Sequence, residues 1–151
     1  MPSADHAGAT ARRSESTEDH LERIHELVEA KGYARVTDIA EALGLNRSTV
    51  SNMVRRLAAR GYVNYERYRG FTLTPAGREV AVTIKARHRT LSDLFGLLGL
   101  EPGTVDEEVE DIEHHLRPQT LAAFASLVEF WRENPAELKS FLRFHRRRMP
   151  V

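Results

Sequence analysis

The chain has 151 residues, 41% of them hydrophobic, enough to bury one good core or two small ones. It contains no cysteine, so disulfides, zinc-finger thiolate sites and iron–sulfur clusters are excluded, and a reducing cytoplasm is the expected compartment. Its 22 basic and 22 acidic residues cancel, and no apolar run suits a membrane span or a signal peptide.

In chain order, residues 1–16 are rich in Ala, Ser, Thr and Arg without periodicity and are expected to form a disordered arm. A first helix is predicted from about Thr17 to Ala30, with Leu21, Ile24, Leu27 and Val28 as its apolar stripe and Lys31-Gly32 as its stop. Thr37 reads as the N-cap of a second helix with Asp38 in its first turn, and Ile39, Ala40 and Leu43 face inward before Gly44 ends it. Asn46 caps a third helix that carries Val50, Met53, Val54 and Leu57 inward and ends near Arg60-Gly61. Helix, Gly-containing turn and helix make a helix-turn-helix. Tyr62–Glu66 and Gly70–Leu73 then read as two short strands joined across Arg67-Tyr68-Arg69, a wing. Thr74-Pro75 starts a long helix reaching about Leu98, because Pro is favoured at the first helical position. A short acidic helix follows, then helices opened by Pro118 and Pro135, the last one basic. The fold class is mainly α: a winged helix-turn-helix domain over 17–74 with a two-stranded wing, then an α-helical metal-binding and dimerisation domain over 75–151.

Charge is segregated although its sum vanishes. From Asn46 to Arg69 six arginines (47, 55, 56, 60, 67, 69) face one acid, Glu66, whereas Glu101–Leu116 holds seven acids and no Lys or Arg. One block suits phosphates and the other suits cations. On the third helix Ser48, Ser51, Asn52 and Arg55 occupy the arc opposite the apolar one and suit base edges in a major groove. Arg47 and Arg56 flank that arc where phosphates lie, and Arg67 and Arg69 of the wing suit the backbone or a minor groove. A plain solvated helix face is the alternative. The ordered succession of helix, turn, helix and wing argues against it.

In the acidic helix, Val105, Val109, Ile112 and Leu116 form a narrow apolar stripe, flanked in order by Glu113, Glu110 and His114. Two carboxylates and an imidazole at i, i+3 and i+4 make half a site for a divalent cation. His115 points to the other side. On the first helix Asp19 and Glu22 share a flank of the stripe, and Glu26, one turn on, is an alternative there. His88 falls inside the stripe of the long helix (Val80, Ala81, Ile84, Leu91, Leu94, Phe95, Leu98), where an imidazole is either buried or bound. Each signal alone has a plain structural counterpart: a core histidine, a solvated acidic face, acids at a helix N-terminus.

Together these residues resemble the diphtheria-toxin-repressor (DtxR) family, most closely its manganese transport regulator (MntR) branch, over roughly Thr17 to Trp131. The resemblance is carried by Glu29-Ala30-Lys31-Gly32-Tyr33-Ala34-Arg35-Val36, Asp38-Ile39-Ala40-Glu41-Ala42-Leu43, Tyr65-Glu66-Arg67-Tyr68-Arg69-Gly70, Arg87-His88 and Glu110-Asp111-Ile112-Glu113-His114-His115-Leu116. It implies metal ligation by Asp19, Glu22, His88, Glu110, Glu113 and His114, with two Mn²⁺ per subunit in a homodimer. It also implies that iron-responsive relatives place sulfur ligands where this chain has Asp19 and Glu110; carboxylates favour the harder Mn²⁺. Fe²⁺, Zn²⁺, Co²⁺ and Cd²⁺ are the expected substitutes. The extra C-terminal SH3-like domain of many relatives is not expected here, as in the short manganese branch, whereas the longer N-terminal arm and the basic tail (Arg143, Arg146, Arg147, Arg148) depart from the family pattern.

The expected function is a Mn²⁺-activated, non-enzymatic repressor of manganese uptake genes that binds palindromic operator DNA as a cytoplasmic homodimer. Three other readings stay open: an Fe²⁺-responsive regulator of the same family, a winged-helix repressor controlled by a small organic ligand, and a carboxylate-rich metal hydrolase. Chelator sensitivity of DNA binding separates the metal-responsive readings from the organic-ligand one. The hydrolase lacks any HExxH-type motif or nucleophile–base pairing.

Overall fold

The structure is a computed structural model that describes residues 4–149, with side chains from Thr17 onward. The first helix starts at Ala4 rather than near Thr17, so residues 4–16, expected as a disordered arm, are helical here, and residues 1–3 lie outside the described residues. The elements run α1 (Ala4–Lys31), α2 (Val36–Leu43), α3 (Arg47–Ala59), β1 (Val63–Glu66), β2 (Gly70–Leu73), α4 (Pro75–Leu97), α5 (Pro102–Glu113), α6 (Pro118–Glu133) and α7 (Pro135–Arg148). The chain separates into two compact units, one ending at Lys85 and one starting at Ala86, so the division falls inside α4.

In the first unit the apolar stripes foreseen for the helices meet in one core. Leu21, Ile24, Ile39, Ala40, Val50, Met53, Val54, Leu57, Val63, Leu73 and Ala81 are all buried there. Each large aliphatic side chain so buried contributes about 1.5–3 kcal/mol. Asn46 caps α3 as its residue type suggests: its Oδ1 accepts from the Thr49 backbone N–H at 2.8 Å and from the Ser48 hydroxyl at 2.8 Å. Thr37 does not cap α2. Helix α2 begins two residues earlier, from Arg35 in extended conformation and without a side-chain cap. The reason is tertiary: Ala34 forms an antiparallel bridge to Phe71, with N–H···O distances of 2.8 and 2.7 Å, which holds the chain extended until Val36.

The wing pairs β1 with β2 in antiparallel register, Val63 opposite Leu73 and Glu66 opposite Gly70. Tyr68 at φ 70° and Gly70 at φ 126° close its turn. A Cβ on Gly70 would stand 2.5 Å from the Ala34 carbonyl oxygen, so the Ala34–Phe71 bridge needs glycine there on two counts. The wing is joined to α4 through Thr74, whose backbone N–H donates to Tyr62 O and whose hydroxyl accepts from Gly77 N–H. Gly77 packs so closely on the Tyr62 backbone that an added Cβ would lie 1.9 Å from its carbonyl oxygen. Across this unit, Arg78 on α4 donates to Glu29 on α1 at 2.8 Å.

In the second unit two small apolar clusters hold four helices. Leu91 of α4 packs with Val105 and Val109 of α5, and Leu94 packs with Val128 and Trp131 of α6. Ile112 and Leu116 border the first cluster, as the apolar stripe of the acidic helix anticipates. Phe141 of α7 lies against Trp131, ring centroids 5.1 Å apart, and Leu138 borders the second cluster. Arg132 pairs with Asp93 at 2.8 Å.

Candidate DNA-reading surface and metal centre

Helix α3 turns Val50, Met53, Val54 and Leu57 into the core and leaves the opposite arc to solvent. Arg47, Ser48, Asn52, Arg55 and Arg56 are exposed there, while Ser51 is half-buried at its edge. Ser48 shares its hydroxyl with the Asn46 cap; its oxygen keeps acceptor capacity. In the wing, the Arg67 guanidinium lies over the Tyr68 ring, 5.1 Å from its centroid, and Arg69 reaches Glu66 at 3.4 Å. Arg35, beside the hairpin, donates to the Arg69 carbonyl at 3.4 Å and stacks on Tyr33 at 5.0 Å. The surface therefore presents guanidiniums from both the helix and the hairpin, with one carboxylate, Glu66, partly offsetting them.

Among the ligand residues anticipated in the second unit, three come together. Glu113 is 2% exposed at the C-terminus of α5, and one carboxylate oxygen lies 2.9 Å from His88 Nδ1 on α4. The other lies 3.6 Å from His114 Nε2. His88 is neither fully buried nor solvated: its side chain is 35% exposed and is fixed by this contact. The guanidinium of Arg87 donates to the Glu113 backbone carbonyl at 3.1 Å, satisfying one of the acceptors that a helix C-terminus leaves open. Burial pushes the Glu113 carboxyl above its ordinary value, only partly offset by His88 and then by His114 and Arg87.

The burial of Glu113 has a sequence origin. It stands four residues after Val109 and eight after Val105, in line with the apolar stripe rather than beside it. Glu110, one turn earlier, is exposed, and His115 is exposed in the turn that follows α5. Asp19 and Glu22 are half-buried one turn apart on α1 in the first unit. Glu26, the alternative to them, is engaged by Arg23. Two imidazoles escaped the sequence reading: His20 (1% exposed) and His25 (7%) are buried on α1. Their spacing from Leu21 and Ile24 places them on the apolar face, which was the available signal.

A buried carboxylate between two imidazoles is a donor set of the kind that holds a divalent cation; its carboxylate oxygens suit harder ions such as Mn²⁺, while its imidazoles also accept borderline ions such as Fe²⁺ and Zn²⁺. Among the described residues no three such donors yet converge on one common point; the Glu113 oxygens and the two rings are turned onto each other instead. The residue types fit a metal, and the raised carboxyl shows the charge such an ion would neutralise.

Known proteins resemble this chain along most of its length. Residues 13–71 match the model described as iron dependent repressor, N-terminal DNA binding domain, and residues 74–142 match iron dependent repressor, metal binding and dimerisation domain. The HTH-type transcriptional regulator MntR of Lysinibacillus sphaericus is 44% identical over 124 residues, covering 82% of this chain and 89% of that protein. The regulator of the same name from Geobacillus kaustophilus is 41% identical over 125 residues, 83% of this chain and 89% of that one. A solved structure described as a manganese-dependent transcriptional repressor complexed with manganese superposes with a TM-score of 0.64 at 28% identity. It aligns over 76% of this chain, which spans about half of that longer one (53%).

Proposed function

Since the chain belongs to the iron-dependent repressor family, and within it to the branch of the MntR regulators, we propose that it is a Mn²⁺-responsive repressor that binds operator DNA as a homodimer. The observation that carries the metal response is Glu113, a carboxylate enclosed between His88 and His114 inside the matched metal-binding domain. We propose Asp19, Glu22, His88, Glu110, Glu113 and His114 as the ligands of up to two ions per subunit. Fe²⁺, Zn²⁺, Co²⁺ and Cd²⁺ compete for them.

Each of these side chains has a definable task. Glu113 offers both oxygens, His88 and His114 offer ring nitrogens, and Arg87 fixes the helix end from which Glu113 projects. Bound there, a divalent cation supplies the positive charge that the enclosed carboxylate lacks. On the DNA side, Ser48, Ser51, Asn52 and Arg55 read base edges while Arg47, Arg56, Arg67 and Arg69 hold phosphates. A regulator needs no reacting group, and transcriptional regulation rather than turnover is the role of the family. The proposed compartment is the cytoplasm; among the described residues no helix is long and apolar enough to cross a membrane.

Fluorescence anisotropy on a palindromic operator, across Mn²⁺, Fe²⁺, Zn²⁺, Co²⁺ and Cd²⁺ with a chelator control, tests the reading. Tight binding with Mn²⁺ that chelation abolishes is the expected result. Binding indifferent to every ion would overturn it, and a response confined to Fe²⁺ would move the chain to an iron-responsive role.

A further inference from the structure

The basic end of α7 lies beyond the family match, which stops at residue 142. Arg143, Arg146 and Arg147 stand on one exposed face with Ser140 and line a shallow recess. Among the described residues, no carboxylate pairs with any of the three. Cations in a last helical turn complement the helix dipole, and Arg146, Arg147 and Arg148 lie there. Arg143, however, is a turn further in, at i, i+3 and i, i+4 from Arg146 and Arg147, where like charges oppose each other. The dipole alone does not explain that spacing, whereas a polyanion relieves the repulsion.

We propose that this face of α7 is an additional, sequence-independent contact for the DNA phosphate backbone. The proposal rests on the DNA-binding reading above. Guanidinium forks suit phosphate oxygens, and Arg143 and Arg147 are separated by about 6 Å along the helix, close to the ~6.8 Å axial rise of two successive phosphate steps along one strand. A membrane surface fits less well, because Leu138 and Phe141 of α7 are drawn toward the core of the second unit, although Phe144 and Met149 stay exposed beside the arginines. Phe141 packs on Trp131, Leu138 borders the core cluster, and Phe144 lies beneath the Arg148 guanidinium at 5.0 Å.

The test compares wild type with two triple variants, one carrying R143Q, R146Q and R147Q and the other R143K, R146K and R147K. Affinity is measured against salt concentration in Mn²⁺, on operator and on a non-operator duplex. The Gln variant is expected to flatten the dependence of log K on log salt by about 0.9 for each phosphate it leaves unneutralised, on both duplexes, while the Lys variant keeps the wild-type slope. An unchanged slope in the Gln variant overturns the proposal, as does an equal flattening in both variants, since phosphate neutralisation needs only the charge. Co-sedimentation with phosphatidylserine vesicles that disappears in the Gln variant, with DNA slopes unaltered, would reassign the face to membranes. A wild type without metal response would sink the regulator reading, yet its slopes on the non-operator duplex would still judge α7.

Discussion

Glu113 concentrates the chemistry of the second unit in one side chain. Burial raises its carboxyl above the ordinary 4.5, so the folded chain retains that proton to higher pH than the unfolded chain. Stability of the metal-free protein therefore declines as pH climbs from 4.5 through the raised folded value and levels off beyond it. Glu113→Gln keeps a polar partner for His88 but carries no charge. It should flatten this decline in urea titrations from about pH 4 to about pH 8 and raise the neutral-pH melting temperature without metal. The same change should weaken Mn²⁺ binding on the order of 10–100-fold or more in calorimetric titration; unaltered affinity would remove Glu113 from the ligand set. On the DNA side, Arg55→Ala should cost about 1–3 kcal/mol and relax sequence preference at one base position, whereas Arg47→Ala should weaken all duplexes alike. Gel shifts over a panel of operator variants distinguish the two outcomes.

Helices α2 to α4 and their caps decide how the reading surface is presented. Asn46→Ala removes an acceptor shared by Thr49 N–H and the Ser48 hydroxyl, so a loss of about 1 kcal/mol is expected in chemical denaturation. Gly77→Ala is the harsher change. Its methyl meets the Tyr62 carbonyl, which no side-chain rotation can clear, so stability should fall by about 1–3 kcal/mol or more, with the wing displaced from the start of α4. The periodicity of the first unit was legible because Leu21, Ile24, Ile39, Val50, Val54 and Leu57 follow the 3.6-residue repeat and the turn glycines punctuate it. The start of α2 was not, because it is set by the bridge between Ala34 and Phe71, residues far apart in sequence. At the candidate metal centre, residue types at helical spacing announced Glu113 and His114 as a pair on one helix. The grip of Glu113 on His88 depends on how α5 packs against α4, which a single helix cannot disclose. Buried His20 and His25 were legible only as polar residues in line with Leu21 and Ile24, the same placement that marked His88.

For the molecule as a whole, metal and DNA are two ligands of one regulator and must influence each other equally. Mn²⁺ affinity measured in the presence of operator should exceed that of the free protein by the factor by which Mn²⁺ tightens DNA binding, typically ~1–3 kcal/mol. Identical metal affinities with and without operator would show that the two events are independent.

The hairpin that follows α3 is tied twice to its surroundings, through Ala34–Phe71 on one side and Tyr62–Thr74 on the other. Helix and hairpin thus confront a duplex as a single stiff template, unable to lengthen the stride between the two stretches of nucleotide they touch. An operator with one base pair inserted between those stretches would lose one of the two grips, whatever the surrounding sequence.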